Sequence, residues 1–91
     1  NNGAIIEVEI CHIDEFNILY GSYFSTTIQR ELALKFIYMM DSSSATYHMN
    51  NSKFVFVLKE ADRNEEELFY RKIADVIKTM SFYKCFNFRI Y

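Results

Sequence analysis

The apolar residues of this chain repeat with two different periods, and the order in which those periods alternate leaves few folds open. Residues 4–10, Ala-Ile-Ile-Glu-Val-Glu-Ile, alternate. Ile6, Val8 and Ile10 share one side while Glu7 and Glu9 share the other, the pattern of a strand with a buried face. From residue 14 to 40 the spacing turns helical. Phe16, Leu19, Tyr20 and Tyr23 fall at i, i+3, i+4 and i+7, and Ile28, Leu32, Phe36 and Met39 or Met40 continue the stripe. Asp14 stands where an N-cap belongs. Gly21-Ser22 and Ser25-Thr26-Thr27 interrupt the run, which predicts two consecutive helices or one helix broken between Gly21 and Thr27.

Further on, Asp41-Ser42-Ser43-Ser44 predicts a turn and Thr46–Met49 a short strand. Asn50–Lys53 reads as a tight connection, because asparagine tolerates the left-handed conformation that hairpins require. Phe54–Leu58 is an unbroken apolar run, which predicts a strand covered on both faces. Asp62 with Glu65 three residues later marks a helix start, and Phe69, Ile73, Val76, Ile77 and Met80 give that helix one apolar face. Phe86, Phe88 and Ile90 alternate with Cys85, Asn87 and Arg89 as a last strand. The order β-α-β-β-α-β predicts an α+β, ferredoxin-like fold, an antiparallel sheet with helices on one face. Right-handed crossovers then place the first strand and the Phe54 strand at the sheet centre.

Composition narrows the function. The 91 residues make one domain, and 51% hydrophobic with 24% charged residues excludes a disordered or collagen-like chain. A formal net charge of -2 gives no electrostatic case for binding nucleic acid or an anionic membrane. No apolar run approaches the roughly 20 residues that span a bilayer. With no proline, element follows element with little linker. Cys11 and Cys85 lie far apart without a CxxC partner, and read as two reduced structural thiols of a cytoplasmic domain.

Other chemistry-bearing residues are sparse. His12 adjoins Cys11, but neighbours on a strand point to opposite faces, so with only His48 and Cys85 besides, no metal site is expected. No nucleophile arrangement follows from spacing. Glu65-Glu66-Glu67 reads as a solvated first helix turn. Phe82, Tyr83, Phe86, Phe88 and Tyr91 resemble a base-stacking platform in density, but the acidic chain lacks the basic surround, so they read as core or partner-contact area.

The order of elements and several local details resemble the GGDEF domain of diguanylate cyclases, which make cyclic di-GMP from two GTP molecules. The first motif of that family runs D-x-D-x-F-K-x-x-N-D-x-x-G-H-x-x-G-D. The matching stretch is Glu9 to Thr26, in which Asn17, Tyr20 and Gly21 fall on the pattern. The segment Tyr47–Leu58 matches the hairpin in which the signature is followed by an apolar strand. The resemblance covers nearly the whole chain and implies a GGDEF or nucleotide-cyclase type of fold.

The chemistry departs from that family. The five signature positions are Asn50, Asn51, Ser52, Lys53 and Phe54. The two glycines that admit phosphates closely are asparagines, and the acidic pair is Ser52-Lys53. A lysine cannot ligate magnesium and repels it. The leading metal aspartate is Glu9, the phosphate-side lysine is Asp14, and of the guanine-reading pair Asn17 remains while the aspartate is Thr26. The R-x-x-D of the inhibitory product site aligns with Asp41–Ser44, which has neither end.

The resemblance therefore implies a degenerate, catalytically silent GGDEF-like domain over residues 1–91 with no catalytic and no metal residues. No cofactor is expected beyond weak GTP and magnesium binding through Asn17 and Glu9. The implied role is a regulatory or interaction domain of a bacterial cyclic di-GMP signalling protein. The implied partners are an EAL-type or sensor domain of the same chain, or a second copy. Two alternatives stay open: a residual GTP-binding or nucleotide-hydrolysing domain using Glu9, and a purely structural dimerisation module. Against the family, an initial helix is missing before Asn1, and a helix and strand after Tyr91. The ends thus read as trimmed boundaries of a larger signalling protein.

Overall fold

The computed structural model describes residues 3–40, 45–50, 52–80 and 85–91. The elements are β1 (Ala4–Ile10), α1 (Ile13–Tyr20), α2 (Ser22–Met39), β2 (Ala45–Asn50), β3 (Lys53–Leu58), α3 (Arg63–Lys78) and β4 (Phe86–Ile90). The four strands form one antiparallel sheet in the order β2-β3-β1-β4. β1 and β3 are central, as the crossover argument predicts. The ferredoxin-like α+β arrangement is what the periodicity implies, and the expected turn at Asp41–Ser44 lies outside the described residues.

One face of the sheet holds the core. Ile6, Val8 and Ile10 of β1 and Phe54, Phe56 and Leu58 of β3 are buried together with Phe16, Ile28, Leu32 and Phe36 of the first two helices and Ile73 and Ile77 of α3. Phe36 is central to it. Its ring lies 5.1 Å from that of Phe54 and 4.9 Å from that of Phe56, both edge-on, the arrangement favoured by the ring quadrupole. Tyr47 closes the β2 side, its hydroxyl donating to the Ala33 carbonyl at 3.3 Å.

Several local expectations are corrected. Phe54–Leu58 is not covered on both faces: Phe54, Phe56 and Leu58 are buried, while Val55 and Val57 on the other face are only half-buried, because all three helices pack on one side. The interruption between the first two helices is the single residue Gly21, with φ 87° and ψ 159°, a region open to glycine and almost nothing else. Ser25, Thr26 and Thr27 are helical. Thr27 Oγ1 donates to the Tyr23 carbonyl at 2.8 Å, which satisfies the hydroxyl without breaking the helix. The expected stripe loses members, two of them within α1 itself and one beyond Gly21. Phe16 is buried, but Leu19, Tyr20 and Tyr23 are exposed.

Asp14 is not the N-cap of α1. That position is His12, in the left-handed conformation and without a side-chain cap, and Asp14 lies in the first turn, where its charge suits the helix dipole. The start of α3 is as expected. Asp62 accepts from the Glu65 backbone N–H at 2.8 Å, and the Glu65 carboxylate accepts from the Asp62 N–H at 2.9 Å, a complete capping box. Among the described residues no helix is long and apolar enough to cross a membrane.

Candidate functional site

The residues singled out from the sequence come from three places: the end of β1, helix α1 and the β2–β3 hairpin. Asn50 pairs with Lys53, which closes the β2–β3 hairpin. Asn51 lies outside the described residues. Among the described residues of this segment the positive φ falls on Ser52, at 66°, and not on Asn50. Ser52 is buried, and its carbonyl accepts from the Ile10 N–H at 3.0 Å. That bond holds the hairpin tip against the end of β1. Phe54 belongs to the core.

The same register sets Glu9 directly opposite Lys53. Directly opposed residues share a face, and Glu7, two positions away, lies on it too. Lys53 Nζ sits 3.9 Å from Glu7 Oε2. On the other flank the Tyr91 hydroxyl donates to Glu7 Oε1 at 3.4 Å, and Arg89 donates to the Tyr91 hydroxyl oxygen at 3.4 Å. A shallow groove of about 240 Å³ is lined by Glu7, Glu9, Asn87, Phe88 and Arg89. The open sheet face thus carries two carboxylates flanked by two cations of the chain itself.

This arrangement does not suit a divalent cation. Magnesium takes hard oxygen ligands in near-octahedral geometry, and a neighbouring ammonium opposes it. Among the described residues no three His, Cys, Asp or Glu side chains are grouped to hold an ion. The described residues of this face thus set Lys53, rather than a third oxygen donor, beside Glu7 and Glu9.

Asn17 is elsewhere, on α1, and does not line the groove beside Glu9. Its side-chain Oδ1 is buried without a hydrogen-bond partner among the described residues, while its main-chain carbonyl accepts from the Gly21 N–H at 2.8 Å. A buried acceptor without a donor costs about 1–3 kcal/mol, so it marks a place where a donor would be welcome. Asp14 and Thr26 are exposed. His12 is exposed and points to Glu15 at 3.7 Å, whereas Cys11 is buried, so the adjacent pair does diverge.

Sequence reasoning missed one pairing. Cys11 and Cys85, distant in the chain, are neighbours in space. The β1–β4 register runs Val8↔Phe88, then Ile10↔Phe86, and one step further it sets Cys11 opposite Cys85. The Cys11 N–H donates to the Cys85 carbonyl at 2.9 Å. Both are thiols, Cys11 buried and Cys85 exposed. Burial, together with a hydrogen bond to the Cys85 side chain, pushes the Cys11 thiol up to about 11. The signal was present in the alternation of the first and last strands, but only their pairing makes it readable.

No protein-family model matches this chain, and no curated protein matches it in sequence. Solved structures do match in shape. One is the Vibrio cholerae LapD S helix-GGDEF-EAL protein bound to c-di-GMP, with TM-score 0.84 and 13% identity over 97% of this chain. Another is the Pseudomonas aeruginosa diguanylate cyclase SiaD in complex with its activator SiaC, with TM-score 0.80 and 8% identity over 97%. A third is an EAL/GGDEF domain protein from M. capsulatus, with TM-score 0.79 and 18% identity over 99%. The fold is that of GGDEF-containing proteins. This chain spans 21%, 36% and 63% of the three matched chains, so the GGDEF-like unit corresponds to a part of each.

Proposed function

We propose that this chain is a GGDEF-like domain without diguanylate cyclase chemistry, acting as a regulatory or interaction domain in cyclic di-GMP signalling. The observation that carries the reading is the position of Lys53. It lies opposite Glu9 and pairs with Glu7, on the sheet face and hairpin where the family resemblance places the metal carboxylates. Phosphoryl transfer rests on positioning and on metal-assisted charge stabilisation. A fixed ammonium beside the remaining carboxylates removes the second of these. The proposed partners are protein domains, in keeping with neighbours that are GGDEF-EAL proteins or, for SiaD, a cyclase held by an activator protein.

The buried, unpartnered Oδ1 of Asn17 favours a second, narrower reading, in which the domain keeps weak nucleotide binding on α1. One experiment addresses both. The purified chain is incubated with GTP and magnesium or manganese, products are analysed by chromatography, and thermal stability is followed against GTP concentration. The expected result is no cyclic di-GMP; its formation above a buffer control refutes the proposal. A saturable rise in Tm that Asn17→Ala removes supports nucleotide binding, and no rise at millimolar GTP refutes it.

A further inference from the structure

We propose that Cys11 and Cys85 form a dithiol site that a low-molecular-weight organic disulfide converts to an intramolecular disulfide, locking the edge strand β4 onto β1. The proposal stands apart from the nucleotide reading and rests on geometry. The two residues stand one step beyond the Ile10↔Phe86 pair that ends the β1–β4 ladder, and the Cys11 N–H donates to the Cys85 carbonyl at 2.9 Å, which continues the antiparallel register. Opposed residues in such a hydrogen-bonded pair have Cα atoms about 5.5 Å apart, within the ~4.4–6.8 Å that a disulfide requires. Residues opposed in this way project their side chains to the same face, which brings the two thiols together. At such a separation side-chain rotation is enough to bridge the pair.

The asymmetry of the pair sets the order of events. Cys85 is exposed and meets the oxidant first. Its thiolate attacks one sulfur of RSSR, the S–S bond of the oxidant breaks, and RS⁻ leaves and takes a proton. Cys85 then carries a mixed disulfide. Cys11 gives its proton to solvent, its sulfur attacks the Cys85 sulfur, and the second RS⁻ departs and is protonated. Two protein thiols are oxidised, and one RSSR is reduced to two RSH. The buried, proton-retaining state of Cys11 makes the second step the slow one.

The consequence is mechanical. β4 is an edge strand whose only sheet neighbour in the described residues is β1. A covalent link at Cys85, immediately before β4, prevents the strand from peeling away at that end and closes most of the chain into one loop, which restricts the unfolded state.

The test uses the purified chain at micromolar concentration, treated with oxidised glutathione or with dithiothreitol. Intact mass and peptide mapping are expected to show a loss of two hydrogens and a Cys11–Cys85 cross-link. Tm is expected to rise by about 10 °C, reversed by dithiothreitol. In Cys11→Ser and Cys11→Ala, glutathione stays attached to Cys85; in Cys85→Ser, Cys11 stays unmodified in the folded chain. A wild-type reaction that stops at the mixed disulfide overturns the proposal. So does one that yields only disulfide-linked dimers, or a cross-link that forms only in denaturant. The wild-type measurements need no variant to fold.

Discussion

Lys53 Nζ lies 3.9 Å from Glu7 Oε2 across the β3–β1 pair, while its directly opposed residue is Glu9. One lysine thus offsets two carboxylates on the open face. Lys53→Glu would set three acidic side chains on that patch. At low salt we expect a loss of up to about 1 kcal/mol from the missing pair and the new repulsion. We also expect millimolar magnesium to raise Tm of the variant and leave the wild type unchanged, beyond a matched ionic-strength control. Thermal denaturation with and without magnesium chloride reads both. An equal response of the two proteins would show that Lys53 does not keep cations off this face.

Gly21 joins α1 to α2 with φ 87° and ψ 159°, and a Cβ placed there would meet nothing within 4 Å. Space is therefore not the issue; backbone conformation is. Alanine favours helix by about 1 kcal/mol over glycine in a helix interior, yet Gly21→Ala is expected to destabilise by about 1–3 kcal/mol. Urea denaturation measures the sign directly, and a stabilised variant would mean that the break between the helices is not required by the packing of Phe16 and Ile28.

Cys11 gives a pH dependence with a definite sign. Its folded value, about 11, is above the ordinary 9.0. The folded state therefore holds the proton more tightly. The stabilisation is fully present below about pH 9 and is lost as pH rises towards 11, a difference of about 2–3 kcal/mol at most. Tyrosines and lysines titrate in the same range, so the measurement is the gap in unfolding free energy between wild type and Cys11→Ala under reducing conditions. That gap should narrow between about pH 8 and pH 10.5 by on the order of 2 kcal/mol. A constant gap would place the Cys11 thiol in a wetter environment than the structure gives it.

Much of the fold was legible because each element announces itself through a local period. Ile6, Val8 and Ile10 alternate, Ile28, Leu32 and Phe36 recur with the helical turn, and Asp62 with Glu65 marks a start. Each of these patterns is buried or bonded as the sequence implies. The candidate site was less legible. Asn17 and Glu9 belong to one motif by spacing, yet only Glu9 lines the groove on the open face. Leu19, Tyr20 and Tyr23 have helical spacing with Phe16 and yet are exposed, because periodicity marks a helix face without knowing how far along it the sheet and the other helices extend.

Local chemistry by itself determined the strands, the helices, their order and hence the central places of β1 and β3, because hydrophobic period and crossover handedness act over short stretches of chain. Only the tertiary structure decided which polar residues meet. The Lys53–Glu7 pair and the Cys11–Cys85 contact depend on strand register, and a slip of one residue would send every side chain to the other face. Register is fixed by the whole set of buried partners from Ile6 to Phe88, a collective property that no single stretch of sequence contains.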